Sequence, residues 1–239
     1  MVPRNKLNPT FFFGFFISAA TNVTFSQATL LNTDPTIAED MRPIAIVSAL
    51  PVHSCEAVAQ LLLQLNMPVM LEGISGLRGD PRLDHLSIRR TDHVLEAATR
   101  NGYPVDGVLR IGGIPTHRIW RDLEYLSETI KVCGLSELPF SGLSWNRRVA
   151  QGPLDLILEG YAPPTDFQES GAAAWMAEEK QFSAMIDSLF SEELTAEPTL
   201  VRTLSEAIPE RAFVYLGNSL PIREWDLAAV RSNKGWIMG

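Results

Sequence analysis

From residue 43 onward, short apolar runs alternate with longer stretches of helical period. "PIAIVSA" (43–49) is apolar and β-branched nearly throughout, the pattern of a strand buried on both faces. "HSCEAVAQLLLQLN" follows, with Ala57, Val58, Leu61, Leu62 and Leu65 at helical spacing and Ser54 placed to cap the start. "MPVMLEG" predicts the next strand, and "ISGLRGDPRLD" a loop rich in Gly, Asp and Pro. "TDHVLEAATRNG" reads as a helix capped by Thr91 and stopped at Gly102. "VDGVLRIGG" predicts a strand ending in paired glycines, "PTHRIWRDLE" a short helix opened by Pro115, and "ETIKVCG" a further strand.

Strands alternating with helices imply a parallel sheet with crossovers, so the expected fold class is α/β, doubly wound. The expected organisation is an unmatched N-terminal segment (1–41), a central α/β domain (42–160), a linker and amphipathic helix (161–196), and an incomplete second α/β unit (197–239). "YAPPTDFQESG" carries the linker signal. "AAAWMAEEKQFSAMIDSLFSE" and "TLVRTLSEAIPE" read as helices and "AFVYLG" as a strand. One strand with one or two helices cannot cover a sheet, so the region after Glu197 is expected either to be poorly packed or to lean on the central domain.

The chain has 239 residues and a formal net charge of -8. That balance argues against binding a nucleic-acid backbone, which needs Lys and Arg to displace counterions. The two cysteines, Cys55 and Cys133, sit in no CxxC or Cys/His cluster, and His53, His85, His93 and His117 have no metal spacing. No metal site and no catalytic nucleophile–base pair is expected. The first residues, "MVPRNKLNPTFFFGFFISAATNVTFSQA", have a basic start, a short apolar centre and small residues after it. They read either as an export signal or as a foreign junction, with the second favoured by what the rest of the chain resembles.

Two places have the form of a ligand site outside the carboxyl end of a strand. In "RIGGIPTHR", Gly112 and Gly113 permit close backbone approach, the next helix start offers N–H donors, and Arg118 adds charge. In "LGNSLPIRE", Asn218 or Ser219 can cap a helix, Pro221 fits its first turn, and Arg223 lies within about a turn of the free donors. A carboxylate there would meet a hydroxyl, backbone N–H groups and a guanidinium together.

"VYLGNSLPIREWDL", "VLRIGGIPTHRIW" and "RSNKG", in this order, resemble motifs of the 2-succinyl-5-enolpyruvyl-6-hydroxy-3-cyclohexene-1-carboxylate synthases, thiamine-diphosphate enzymes of menaquinone biosynthesis. The match runs from about Arg42 to Gly235. It implies a transferase that decarboxylates 2-oxoglutarate and adds the product to isochorismate. Its cofactors would be thiamine diphosphate and Mg2+, its assembly homo-oligomeric and its location cytoplasmic. It implies substrate contacts for Ser219, Arg223, Arg118 and Lys234. At this last position the family motif has Arg, so Lys keeps the charge but loses the two-pronged geometry. The activating Glu of the family's first domain and the Gly-Asp-Gly motif of its third are absent. The expectation is therefore a fragment, inactive alone and lacking the cofactor-binding residues. The rival expectation is a non-catalytic module that holds an anionic metabolite at Arg118 and the two glycines.

Overall fold

The computed structural model describes residues 41–89, 91–102, 104–146, 148–161, 172–209, 212–217, 219–230 and 236–238. Five parallel strands form its main sheet: β1 (Pro43–Val47), β2 (Val69–Leu71), β3 (Gly107–Ile111), β4 (Lys131–Ser136) and β5 (Val149–Gln151), in the order β2-β1-β3-β4-β5. The period of two explains its two cores. Ile44, Ile46, Val108 and Val132 point into one apolar layer, and Ala45, Val47, Leu109 and Leu135 into the other.

Helices α1 (Cys55–Leu65) and α4 (Leu154–Gly160) cover the second of these layers through Leu61, Leu62, Leu65, Leu154 and Ile157. Helices α2 (Thr91–Arg100), α3 (Arg118–Asp122) and α5 (Ala172–Glu192) cover the first, with Trp120 and Trp175 buried in it. Helices on both faces of a parallel sheet make the expected doubly wound α/β fold. The strand order reverses between β1 and β3, which is where such sheets open a crevice.

Local details differ from the sequence-based expectation. Ser54 does not cap α1 with its side chain; its hydroxyl is buried without a partner, and a 3-10 turn (Val52–Ser54) leads into the helix instead. The N-cap of α3 is His117, two residues beyond Pro115. The first residue of α2 is Thr91, and its expected cap and the residue before it lie outside what can be described at side-chain level. The linker signal at 162–171 lies outside the described residues. Strand β5 and helix α4 had no expectation, since both are short.

After α5 come α6 (Glu197–Ala207), β6 (Phe213–Tyr215), α7 (Leu220–Ala228) and β7 (Trp236–Met238). The terminal "WIM" pairs with β6 as a second, two-stranded parallel sheet. Leu216, Ile222, Trp225 and Ala229 form a small core that Val201 of α6 and Ile74, just after β2, both join. This unit packs against the turn after β2 through Ile74. No helix of the described residues is long and apolar enough to cross a membrane.

Candidate functional site

Strand β2 is apolar through its last residue, Leu71, and the next residue is Glu72, whose side chain is fully buried. A carboxylate in that position must be hydrogen-bonded to be tolerated. Its Oε1 accepts the N–H of Thr116 at 2.6 Å, the Thr116 hydroxyl at 3.0 Å and the N–H of His117 at 3.1 Å. These are the donors that the start of α3 was expected to offer a ligand. The chain's own carboxylate takes them, which corrects that part of the sequence reading.

The glycines nearby are also committed. Gly112 has φ 86, and a Cβ there would stand 2.5 Å from the Ala49 carbonyl oxygen. The Gly113 N–H donates to that same oxygen at 2.9 Å. Ser136 Oγ donates to the Gly112 carbonyl at 2.8 Å. The close approach that the glycines permit is therefore between the loops after β1 and β3, across the point where the strand order reverses.

One residue beyond Glu72, the Gly73 N–H donates to Asp226 Oδ1 of α7 at 2.6 Å. Arg78 donates from Nη1 to the Ala229 carbonyl at 3.0 Å and from Nη2 to the Asp226 carbonyl at 2.9 Å. Its Nε lies 3.9 Å from Asp226 Oδ1. Burial pushes the Asp226 carboxyl up to about 7, against the pull of Arg78 and of the Gly73 N–H; the nearby Glu72 charge adds to the rise. Glu72 Oε2 and Asp226 Oδ2 are both buried without a hydrogen-bond partner among the described residues.

Ser219 is the N-cap residue of α7, with φ 75 and no side-chain cap, and Pro221 sits in the first turn as expected. Arg223 is exposed. Its Nε donates to the Ser219 carbonyl at 2.9 Å, and its Nη2 lies 3.5 Å from the Ser219 hydroxyl. The structure thus brings Ser219 and Arg223 together. Asn218 and Lys234 lie outside the described residues.

Arg118 is mostly exposed and pairs with Asp122 at 3.2 Å. It lines an open cleft of about 530 Å³ between α2 and α3, with His93, Val108, Ile119 and Leu123. Arg118 and Arg223 make no contact with each other. Each is tied separately to the end of β2: Arg118 follows the residues that Glu72 binds, and Arg223 precedes by one turn the carboxylate that Gly73 binds.

Sequence reasoning missed Glu72, Arg78 and Asp226. The signal for Asp226 was present: Ile222, Trp225, Asp226 and Ala229 fall at i, i+3, i+4 and i+7, so a carboxylate occupies the buried stripe of α7. Glu72 is likewise the one charge closing an all-apolar strand. Nothing in the sequence marks Arg78. Trp175 is core, with Met176 and Phe182 packed against it. His53 faces Asp155 at 3.6 Å. Cys55 and Cys133 form no disulfide, and Asp80 caps a 3-10 turn.

Comparison with known proteins places these features in context. No family model matches the chain. It is 35% identical over 186 residues to the 2-succinyl-5-enolpyruvyl-6-hydroxy-3-cyclohexene-1-carboxylate synthase of Bdellovibrio bacteriovorus, across 77% of this chain and 34% of that protein. It is 32% identical over 181 residues to the synthase of the same name from Akkermansia muciniphila, across 72% of this chain and 32% of that protein. A third, from Trichodesmium erythraeum, is 25% identical over 189 residues. Across about three quarters of its length, then, this chain is a relative of the 2-succinyl-5-enolpyruvyl-6-hydroxy-3-cyclohexene-1-carboxylate synthases, and it spans about a third of the length of the curated members it matches.

Proposed function

We propose that the chain supplies the central, carboxylate-binding part of a thiamine-diphosphate-dependent synthase of menaquinone biosynthesis, in which decarboxylated 2-oxoglutarate adds to isochorismate. The observation that carries this reading is the Ser219–Arg223 turn. A non-glycine residue at φ 75 is strained, and such strain clusters at ligand sites. Here it sets a hydroxyl and a guanidinium side by side at the start of a helix. A substrate carboxylate at this point would meet both, together with main-chain donors of the first turn of α7.

In this reading Ser219 and Arg223 orient and neutralise one substrate carboxylate. Arg118 supplies positive charge from α3 and Lys234 a further point charge. Thiamine diphosphate, when bound, supplies the decarboxylation chemistry. Among the described residues no group of three His, Cys, Asp or Glu side chains is gathered to hold a metal ion. The isolated chain is expected to have no turnover.

A non-catalytic module holding an anion at Gly112, Gly113 and Arg118 has less in its favour. Ala49 lies against both glycines, Glu72 takes the α3 donors, and Asp122 pairs with Arg118.

The test is a graft. Residues 42–230 replace the matching third of the Bdellovibrio bacteriovorus synthase, and product formation from isochorismate and 2-oxoglutarate is measured with cofactor and Mg2+. The graft is expected to be active, and Arg223→Ala within it to lower kcat/KM by about 100-fold, as loss of a charge-assisted contact should. A folded, active graft indifferent to Arg223→Ala ends the reading.

A further inference from the structure

Arg110 lies within β3 and is fully buried. It follows Val108 on the same side of the strand, so its guanidinium enters the apolar layer beneath α3. Its registered partner on β4 is Gly134. A Cβ at Gly134 would stand 3.4 Å from both Nε and Nη2 of Arg110, so the missing side chain makes room for the guanidinium. The Trp120 ring centroid lies 6.0 Å from the guanidinium carbon.

A buried guanidinium is ordinarily answered by a carboxylate. This one is not. Nη1 donates to the Ser141 carbonyl at 3.0 Å, and among the described residues Nε and Nη2 reach no acceptor and no carboxylate pairs with the guanidinium. Burial holds the group down to about 10, which leaves it charged at neutral pH.

Two more buried donors in the same neighbourhood lack acceptors: Trp120 Nε1 and Asn146 Nδ2. Trp120 Nε1 stands 3.1 Å from the Cβ position of Gly142, beside the carbonyl that receives Arg110. Asn146 is held to the same turn, because the Ser141 hydroxyl donates to the Asn146 carbonyl at 2.8 Å. Three side chains from β3, α3 and the turn after β4, each in contact with or part of residues 141–146, thus hold a buried donor without an acceptor among the described residues, and one of them carries a full positive charge.

We propose that Arg110, Trp120 and Asn146 form a buried binding site for a small inorganic anion of the size of chloride, closed over by the turn at residues 141–146. A water molecule accepts two hydrogen bonds and carries no charge, so it leaves the guanidinium unanswered. A monovalent anion accepts from all the free donors and neutralises the cation. The burial of every contributing residue excludes a metabolite-sized ligand. The site is independent of the Ser219–Arg223 turn.

The full chain is unfolded thermally in sodium gluconate at fixed ionic strength, with sodium chloride or sodium bromide replacing gluconate stepwise. A site that binds the folded state alone raises Tm and saturates. Arg110→Met is expected to abolish the rise, and Trp120→Phe to move its midpoint to several-fold higher halide. Crystals grown in bromide are expected to show an anomalous peak between Arg110 Nη2, Trp120 Nε1 and Asn146 Nδ2. A Tm indifferent to halide, a rise unchanged in Trp120→Phe, or ordered water in place of bromide overturns the proposal. If Arg110→Met does not fold, the Trp120→Phe titration and the bromide map decide.

Discussion

Asp226 and Gly73 are 153 residues apart in the chain, and the Gly73 N–H donates to Asp226 Oδ1 at 2.6 Å. Through this bond and the two Arg78 bonds to main-chain carbonyls, the end of β2 holds α7 in place. The two residues after β2 thus join the sheet, through the Glu72 N–H to the Val47 carbonyl, and the C-terminal unit, through Gly73.

The Asp226 carboxyl is raised from 3.8 to about 7, chiefly by burial. Between those two values the folded chain holds a proton that the unfolded chain has released, so stability falls as pH rises from about 4 to about 7 and is level above. Asp226→Asn removes this dependence. Urea unfolding across that range is expected to show the wild type losing on the order of 2–4 kcal/mol relative to Asp226→Asn. Parallel curves for the two proteins would contradict the assignment.

Glu72 accepts three hydrogen bonds on one oxygen. Glu72→Ala strands those donors inside the protein and is expected to cost about 2–4 kcal/mol. Glu72→Gln keeps an acceptor oxygen and should cost less. Amide exchange gives the local readout: Thr116 and His117 should lose protection in Glu72→Ala ahead of the strand amides.

Gly112 and Gly113 are neighbours with different tolerances. A Cβ on Gly112 meets the Ala49 oxygen at 2.5 Å and Leu50 Cδ2 at 2.7 Å with φ 86, whereas a Cβ on Gly113 meets Ala49 Cβ at 3.4 Å. Gly112→Ala is expected to destabilise by about 2 kcal/mol or more, and Gly113→Ala by under about 1 kcal/mol. Equal effects in thermal unfolding would show that the loop after β3 is not held as described.

Arg223 is exposed and bonds only to Ser219 among the described residues. Arg223→Ala should therefore change stability by no more than about 0.5 kcal/mol. Paired with the activity loss expected in the grafted synthase, this separates a ligand contact from a structural one. A large stability loss would assign Arg223 to holding the turn at the start of α7.

The strands and the long helices were legible because burial on both faces leaves near-continuous apolar runs, as in β1 and β3, and because α1 and α5 are long enough for the helical period to repeat. The three residues of β5 and the seven of α4 carry too few periods to register. β7 pairs only with β6, a strand set apart by α7, so no local pattern announces it. At the candidate site, the bend at Ser219 and the nearby Arg223 could be read from local spacing. The partnership of Glu72 with Thr116, or of Asp226 with Gly73, depends on which segments meet in space. The glycines after β3 illustrate the ambiguity: their freedom was visible, but the group that approaches them is Ala49.

The span between Gly73 and Asp226 also orders events during synthesis. Glu72 can find Thr116 once 44 more residues have emerged from the ribosome, so the sheet can acquire its internal charge early. Arg78 and the Gly73 amide stay hydrated until α7 arrives. Closure of the C-terminal unit onto the sheet is then a late, long-range step, and a ribosome stalled before residue 226 would release a chain whose sheet lacks that cover.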